Sequence, residues 1–311
     1  MTVVIGTADG VYRASDAGFE DTARVLDGVK AYDVAERDGA WYVATVDGLY
    51  RSGDGASSWR GLDVPGEDTT AVGVSPDGSR VYAGTRPAAL HVSRDEGRSW
   101  RVLDGLDDVP TRERWFNHVA PPNVRSVASH PDVPDRVVVG IDGGGVLVSE
   151  DGGETWVQRG TGITQYVHDV LVRGPDEYVA ATDAGLFGTR DGGRWWDYLF
   201  TKRLKHRYFR GVFEADGVLF AGGARSTPGA WKEDGTADAG LYRVRWDERT
   251  PEIERVSYPG EPDELVDCGV SVDGRPVAGT TGGRLLAAVD GSWRTADTIP
   301  GGPEVRTMAV G

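Results

Sequence analysis

The chain is poor in lysine, methionine and cysteine. Among 311 residues the only lysines are Lys30, Lys202, Lys205 and Lys232, against thirty arginines, with two methionines and a single cysteine, Cys268. One cysteine excludes an intrachain disulfide, and Cys268 reads as a small buried hydrophobe. No apolar run approaches membrane-spanning length, and Met1-Thr2-Val3-Val4-Ile5-Gly6 leads straight into a strand-like segment without a basic leader. A soluble, cytoplasmic, monomeric product is expected. The five histidines (His91, His118, His130, His168 and His206) are dispersed and lack the spacing of metal ligands, so no metal is expected. Gly143-Gly144-Gly145 precedes a strand and lacks the Lys-Ser/Thr of a phosphate loop, so no cofactor is expected either.

What the chain has in excess is negative charge. Forty-nine acidic residues face 34 basic ones, a formal net charge of −15. That balance argues against general affinity for nucleic acid or anionic membranes. An acidic, lysine-poor surface resembles that of proteins from salt-loaded cytoplasms, where hydrated carboxylates keep a protein soluble and salt screens their repulsion. A halophilic, haloarchaeal source is the expectation. Forty-five glycines with 10 Trp and 11 Tyr suit many short strands joined by tight turns.

An eight-residue phrase returns along the chain. It reads Ser93-Arg94-Asp95-Glu96-Gly97-Arg98-Ser99-Trp100, then Ser149-Glu150-Asp151-Gly152-Gly153-Glu154-Thr155-Trp156, then Thr189-Arg190-Asp191-Gly192-Gly193-Arg194-Trp195-Trp196. Ser52-Gly53-Asp54-Gly55-Ala56-Ser57-Ser58-Trp59 is a near copy and Ser15-Asp16-Ala17-Gly18 a decayed one. Each is a turn instruction: Asp caps backbone N–H groups, Gly supplies a positive φ, and Trp plugs the face behind the turn. Trp59, Trp100, Trp156 and Trp196 are therefore expected in the core.

The phrase resembles the Asp-box, or BNR repeat, of sialidases, some xyloglucan-cleaving glycosidases, sortilin-type receptors and photosystem assembly factors. The resemblance implies a β-propeller. It implies no activity, because the box lies at a structural turn in those families.

Strand patterns between the phrases define the repeat. Second strands are expected at Val3–Thr7, Trp41–Thr45, Val81–Thr85, Val137–Ile141, Tyr178–Thr182, Val218–Gly222 and Pro276–Thr280. The N-terminal unit lacks a first strand, and Val305-Arg306-Thr307-Met308-Ala309-Val310 matches Val124-Arg125-Ser126-Val127-Ala128-Ser129. The C-terminal strand is thus expected to complete the first blade, closing the free sheet edges. The expectation is one all-β domain over residues 1–311, a seven-bladed propeller of four-stranded antiparallel blades. The blades fall at about 1–27 plus 303–311, 28–66, 67–108, 123–163, 164–200, 208–260 and 262–300.

Two segments exceed the repeat, 107–123 with Arg112, Arg114, Trp115 and His118, and 222–240 with Arg225, Trp231 and Lys232. In a propeller both are expected on the face opposite the Asp turns, with the basic run Thr201–Tyr208. Aligned first strands begin, toward the channel, with Arg125, His168, Arg210 and Arg306 in four blades, and with Tyr32 or Asp33, Thr70 and Asp267 in the others. Guanidinium forks suit carboxylates and phosphates. The same arginines could instead pair with an acid of the next blade. The candidate ligand-binding residues are Arg125, His168, Arg210, Arg306, Arg114, Trp115, His118, Lys205, Arg207 and Trp231.

For catalysis the sequence offers less. Asp9, Asp47, Asp142 and Asp183 follow the second strands, where Asp-Gly turn chemistry already accounts for them. There is neither the Arg-Ile-Pro segment of many sialidases nor a recognisable Tyr/Glu nucleophile pair. The preferred reading is a non-catalytic binding or scaffold propeller whose arginine- and aromatic-rich face takes an anionic ligand or a protein segment. The alternative is a sialidase-like or other glycoside hydrolase, which needs two carboxylates in catalytic range, one of them with a raised pKa.

Overall fold

The computed structural model describes residues 1–66, 68–199, 206–228, 230–231, 237–246 and 251–311. Strands form where short Val/Tyr/Ala runs alternate with Gly- and Asp-bearing turns. They assemble into seven four-stranded antiparallel sheets, each a simple meander, and the fold is a seven-bladed β-propeller. The first blade is completed by the C-terminal strand Val305–Val310, which pairs with Val3–Thr7 in the register Val3↔Val310 and Ile5↔Met308. Backbone bonds between Thr2 and Gly311 fasten its end.

The other six first strands are Ala31–Arg37, Asp68–Val74, Asn123–His130, Val167–Val172, Tyr208–Ala215 and Val266–Val272. The second strands begin and end within a few residues of their expected positions, for example Ala40–Thr45, Tyr178–Thr182 and Arg275–Thr280. Among the described residues no helix is long and apolar enough to cross a membrane.

Contacts divide the chain into two units. Unit 1 comprises 1–31, 181–186 and 199–311, and unit 2 comprises 32–180 and 187–198. The core of unit 1 is built from clusters such as Val3, Ile5, Phe19, Leu285 and Val305. That of unit 2 gathers Leu90, Leu103, Leu106, Ile141, Leu147 and Trp156.

All four full copies of the repeated phrase lie in unit 2 and form one turn. In the second of them in chain order, Ser93 Oγ donates to Asp95 Oδ1 at 2.7 Å and accepts from Gly97 N at 2.8 Å. Asp95 in turn accepts from Arg98 N at 3.0 Å, Ser99 N at 2.9 Å and Ser99 Oγ at 2.6 Å. Those donors, led by Ser99, hold the Asp95 carboxyl down at about 2. Trp156 and Trp196 are buried as expected, whereas Trp59 and Trp100 are only half-buried.

Candidate functional site

One irregularity recurs in the first strands. Where each pairs with its second strand, the register slips at Thr70, Arg125, Arg210, Asp267 and Arg306. These are the aligned strand-start positions of the sequence. A bulge leaves one residue outside the ladder and re-aims its side chain.

The bulged side chains reach neighbouring strands. In unit 2, Thr70 Oγ1 donates to the Val124 carbonyl at 2.6 Å, and Arg125 Nε reaches the His168 carbonyl at 3.5 Å. Asp33, near the start of Ala31–Arg37, accepts from Val72 N at 3.0 Å. In unit 1, Arg210 pairs with Asp267 at 2.9 Å and with Glu304 at 2.8 Å, and Glu304 also holds Arg306 at 2.5 Å. Burial opposes ionisation of Glu304, but Arg210 and Arg306 keep its pKa below the usual carboxylate range. Burial likewise works against the Arg210 charge, and Asp267 with Glu304 more than restores it.

The pairing of such arginines with a neighbouring acid, the alternative left open by the sequence, is what these contacts resemble. Arg210 and Arg306 are neutralised by carboxylates within unit 1, and Arg125 lies among the acids Asp33 and Asp142. The physical reason is desolvation: a half-buried guanidinium at a strand bulge needs a counter-charge, and the neighbouring strand supplies it.

The insertions divide differently from expectation. Trp115 turns inward to 9% exposure, joins the unit 2 core and carries the Arg112 guanidinium 4.5 Å above its ring. Trp231 donates to the Ser226 carbonyl at 2.6 Å and packs edge-on to Tyr208. Both tie their loops down because a buried indole stabilises more than an exposed one. Arg114 and Arg207 are exposed. Lys205, with Lys202, Arg203 and Lys232, lies outside the described residues.

Two outward-facing apolar side chains of the first insertion are ones the sequence reading passed over. Phe116 is 53% exposed and Val119 94%. His118 packs edge-on to Phe116 at 4.8 Å and stacks on Tyr166 at 6.0 Å. The loop is held by its backbone: Phe116 N donates to the Gly143 carbonyl at 2.9 Å, while Gly143 N and Gly145 N donate to the Gln165 carbonyl at 3.1 and 2.9 Å. Gly143 and Gly145 have φ of 91° and 84°, which glycine alone adopts without strain. A Cβ on Gly143 would stand 2.6 Å from the Phe116 carbonyl oxygen.

One acid, Asp142, bonds Asn117 of the loop. Burial pushes Asp142 up, opposed by Arg125, a bond with Asn117, and Arg86. Burial likewise pushes Asp33 up to about 7, with the Asp169 charge adding to it and the Val72 N–H and Arg125 working against it. Asp33 was visible in the sequence only as an alternative to Tyr32, and Asp169 not at all. By contrast Asp9 and Asp47 sit in turns organised by Thr7 and Thr45, whose hydroxyls bond the Gly10 and Gly48 carbonyls.

No family model matches the chain. Its sequence is 25% identical over 277 residues to an oligoxyloglucan-reducing end-specific xyloglucanase of Emericella nidulans, covering 74% of this chain and 34% of that protein. Among solved structures it is similar to the GH74 xyloglucanase of Xanthomonas campestris (TM-score 0.70, 17% identity, 95% of this chain and 52% of that one). It is also similar to YCF48 bound to D1 peptide (TM-score 0.58, 15% identity, 95% and 83%). The chain therefore spans about a third of the xyloglucanase it matches in sequence. At such identities the structural likenesses establish the propeller fold.

Proposed function

We propose that this chain is a non-catalytic binding propeller that presents the Phe116–Val119 loop to a protein segment. One contrast carries the reading. Charged side chains at the strand bulges are engaged by neighbouring strands, while the loop that projects from unit 2 exposes a phenyl ring and a valine. A soluble protein keeps such apolar groups in water at a cost, and they recur where partners dock. YCF48, a structural neighbour, is described bound to a peptide. The paired arginines make a small anion the weaker choice of ligand, since binding it would first break an ion pair.

A glycoside hydrolase is the second reading, favoured by Asp33. A buried carboxyl pushed up to about 7, with the charge of Asp169 contributing to the rise, suits a general acid. The xyloglucanase match points the same way. Incubation with xyloglucan oligosaccharides separates the two: no new reducing ends are expected. Turnover by the wild type that disappears in Asp33→Asn overturns the binding reading in favour of hydrolysis.

A further inference from the structure

A plug and a socket are anchored to one turn of unit 2. The plug is the first insertion, where Phe116 and Val119 are exposed and Phe116 N donates to the Gly143 carbonyl at 2.9 Å. The socket is a groove of about 640 Å³ between that insertion and the strand Val157–Gln158. Val109, Pro110, Trp156 and the 59%-exposed Val157 make it mainly apolar. Gln158 Nε2, at its rim, donates to the Gly144 carbonyl at 2.9 Å. Consecutive carbonyls therefore anchor the two features.

Both features are uncharged. Among the described residues that line the groove none is Asp, Glu, Lys or Arg, in a chain of which 27% is. From Trp115 to Val124, the stretch that carries the plug, the sequence holds none either. The longer polar side chains of the groove are already engaged: Thr111 Oγ1 donates to Gln158 Oε1, and the Gln158 amide reaches the turn. A charged occupant would be desolvated there without a counter-charge, whereas an apolar side chain loses nothing. On a chain of net charge −15, surface of this kind is where two copies meet with least repulsion.

Resting on the binding reading, we propose that the protein segment received here is the Phe116–Val119 loop of a second copy of this chain. A two-fold axis near the Gly143–Gly145 turn puts each loop into the other copy's groove, which covers both apolar features of both copies in one closed pair. A foreign segment that filled the groove would leave Phe116 and Val119 in water. Long-range repulsion between the two acidic copies opposes the pair at low salt, and screening relieves it.

Sedimentation velocity of the full chain, from about 5 to about 500 μM and in about 0.1 M and about 1 M KCl, tests this. A monomer–dimer equilibrium in the micromolar range is expected, about tenfold tighter at the higher salt. Phe116→Ser and Val157→Asp are each expected to weaken it at least about tenfold. Both side chains are exposed, so an unchanged melting temperature shows that each variant remains folded. Mixed in equal amounts, the two variants are expected to pair more tightly than either pairs with itself, because the intact groove of the first receives the intact loop of the second. A wild type that stays monomeric up to about 500 μM in both salts overturns the second copy as the partner. So does a dimer that weakens as salt rises, one indifferent to both variants, or a mixture no tighter than its components. The binding reading fails separately, if wild-type turnover of xyloglucan oligosaccharide disappears in Asp33→Asn.

Discussion

Arg210→Ala puts the clasp between first strands to a direct test. In the wild type the guanidinium is shared between Asp267, whose side chain is 4% exposed, and Glu304 at 24%. Removing it leaves Asp267 without that counter-charge, whereas Glu304 keeps Arg306. Breaking a buried pair from one side costs about 3–5 kcal/mol. Because Glu304 stays compensated and partly hydrated, the lower end applies, about 3 kcal/mol. Over 311 residues the unfolding entropy is about 0.65 kcal/mol/K, so Tm falls by about 5 °C, or about twice that if unit 1 melts by itself.

Three features of the result are diagnostic. The loss persists in molar KCl, since salt screens buried pairs far less than exposed ones. It is fullest near neutrality. Glu304 has a folded-state pKa held below its unfolded value, so its contribution is present above the unfolded pKa and lost as pH falls through the folded one. The gap between wild type and variant therefore narrows in acid. Asp267→Asn in the Arg210→Ala background recovers part of the loss, because the carboxylate left behind is then neutral. Calorimetry across pH 3–8 reads all three. A Tm within about 1 °C of wild type at pH 7 would mean a solvated, open Arg210 of the kind an anion site needs, and would refute the clasp.

Asp33→Asn is expected to change the slope of stability against pH. With the folded pKa raised to about 7, the wild type's stability from this group is fully present below the unfolded value and declines as pH rises from about 4 to about 7. After allowance for solvent around a half-buried group, the decline is about 2 kcal/mol, or roughly 3 °C. The variant lacks that decline, and parallel Tm profiles for the two proteins would remove the raised pKa from the hydrolase reading. Gly222→Ala is expected to abolish soluble expression or lower Tm sharply, because its Cβ would lie 1.7 Å from the Val266 carbonyl oxygen. A normally folded Ala variant in a solubility and circular-dichroism assay would show that the two strands do not approach so closely.

The fold was legible because it is written in turns, and turns are local. Ser93, Asp95, Gly97 and Ser99 lie within seven residues and satisfy one another, so their spacing alone dictates the geometry. The matching of 305–310 to 124–129 worked for a related reason: both begin with a bulge that places Arg306 and Arg125 at equivalent points. The site was less legible because its meaning depends on partners far away in sequence. Arg210 reads as an anion ligand until Asp267 and Glu304, 57 and 94 residues later, are brought to it. Trp115 and Phe116 are adjacent aromatics on one insertion, and nothing local says which will be buried. The Gly143 carbonyl decides it by fixing Phe116 N, which turns Trp115 onto Ile141 and Gly144 and leaves the phenyl ring outside. A strand-start alignment therefore finds positions that are structurally equivalent, and equivalence in a propeller means first of all the same task of joining neighbouring strands. The insertion lies outside that alignment, and there Phe116 and Val119 stay exposed.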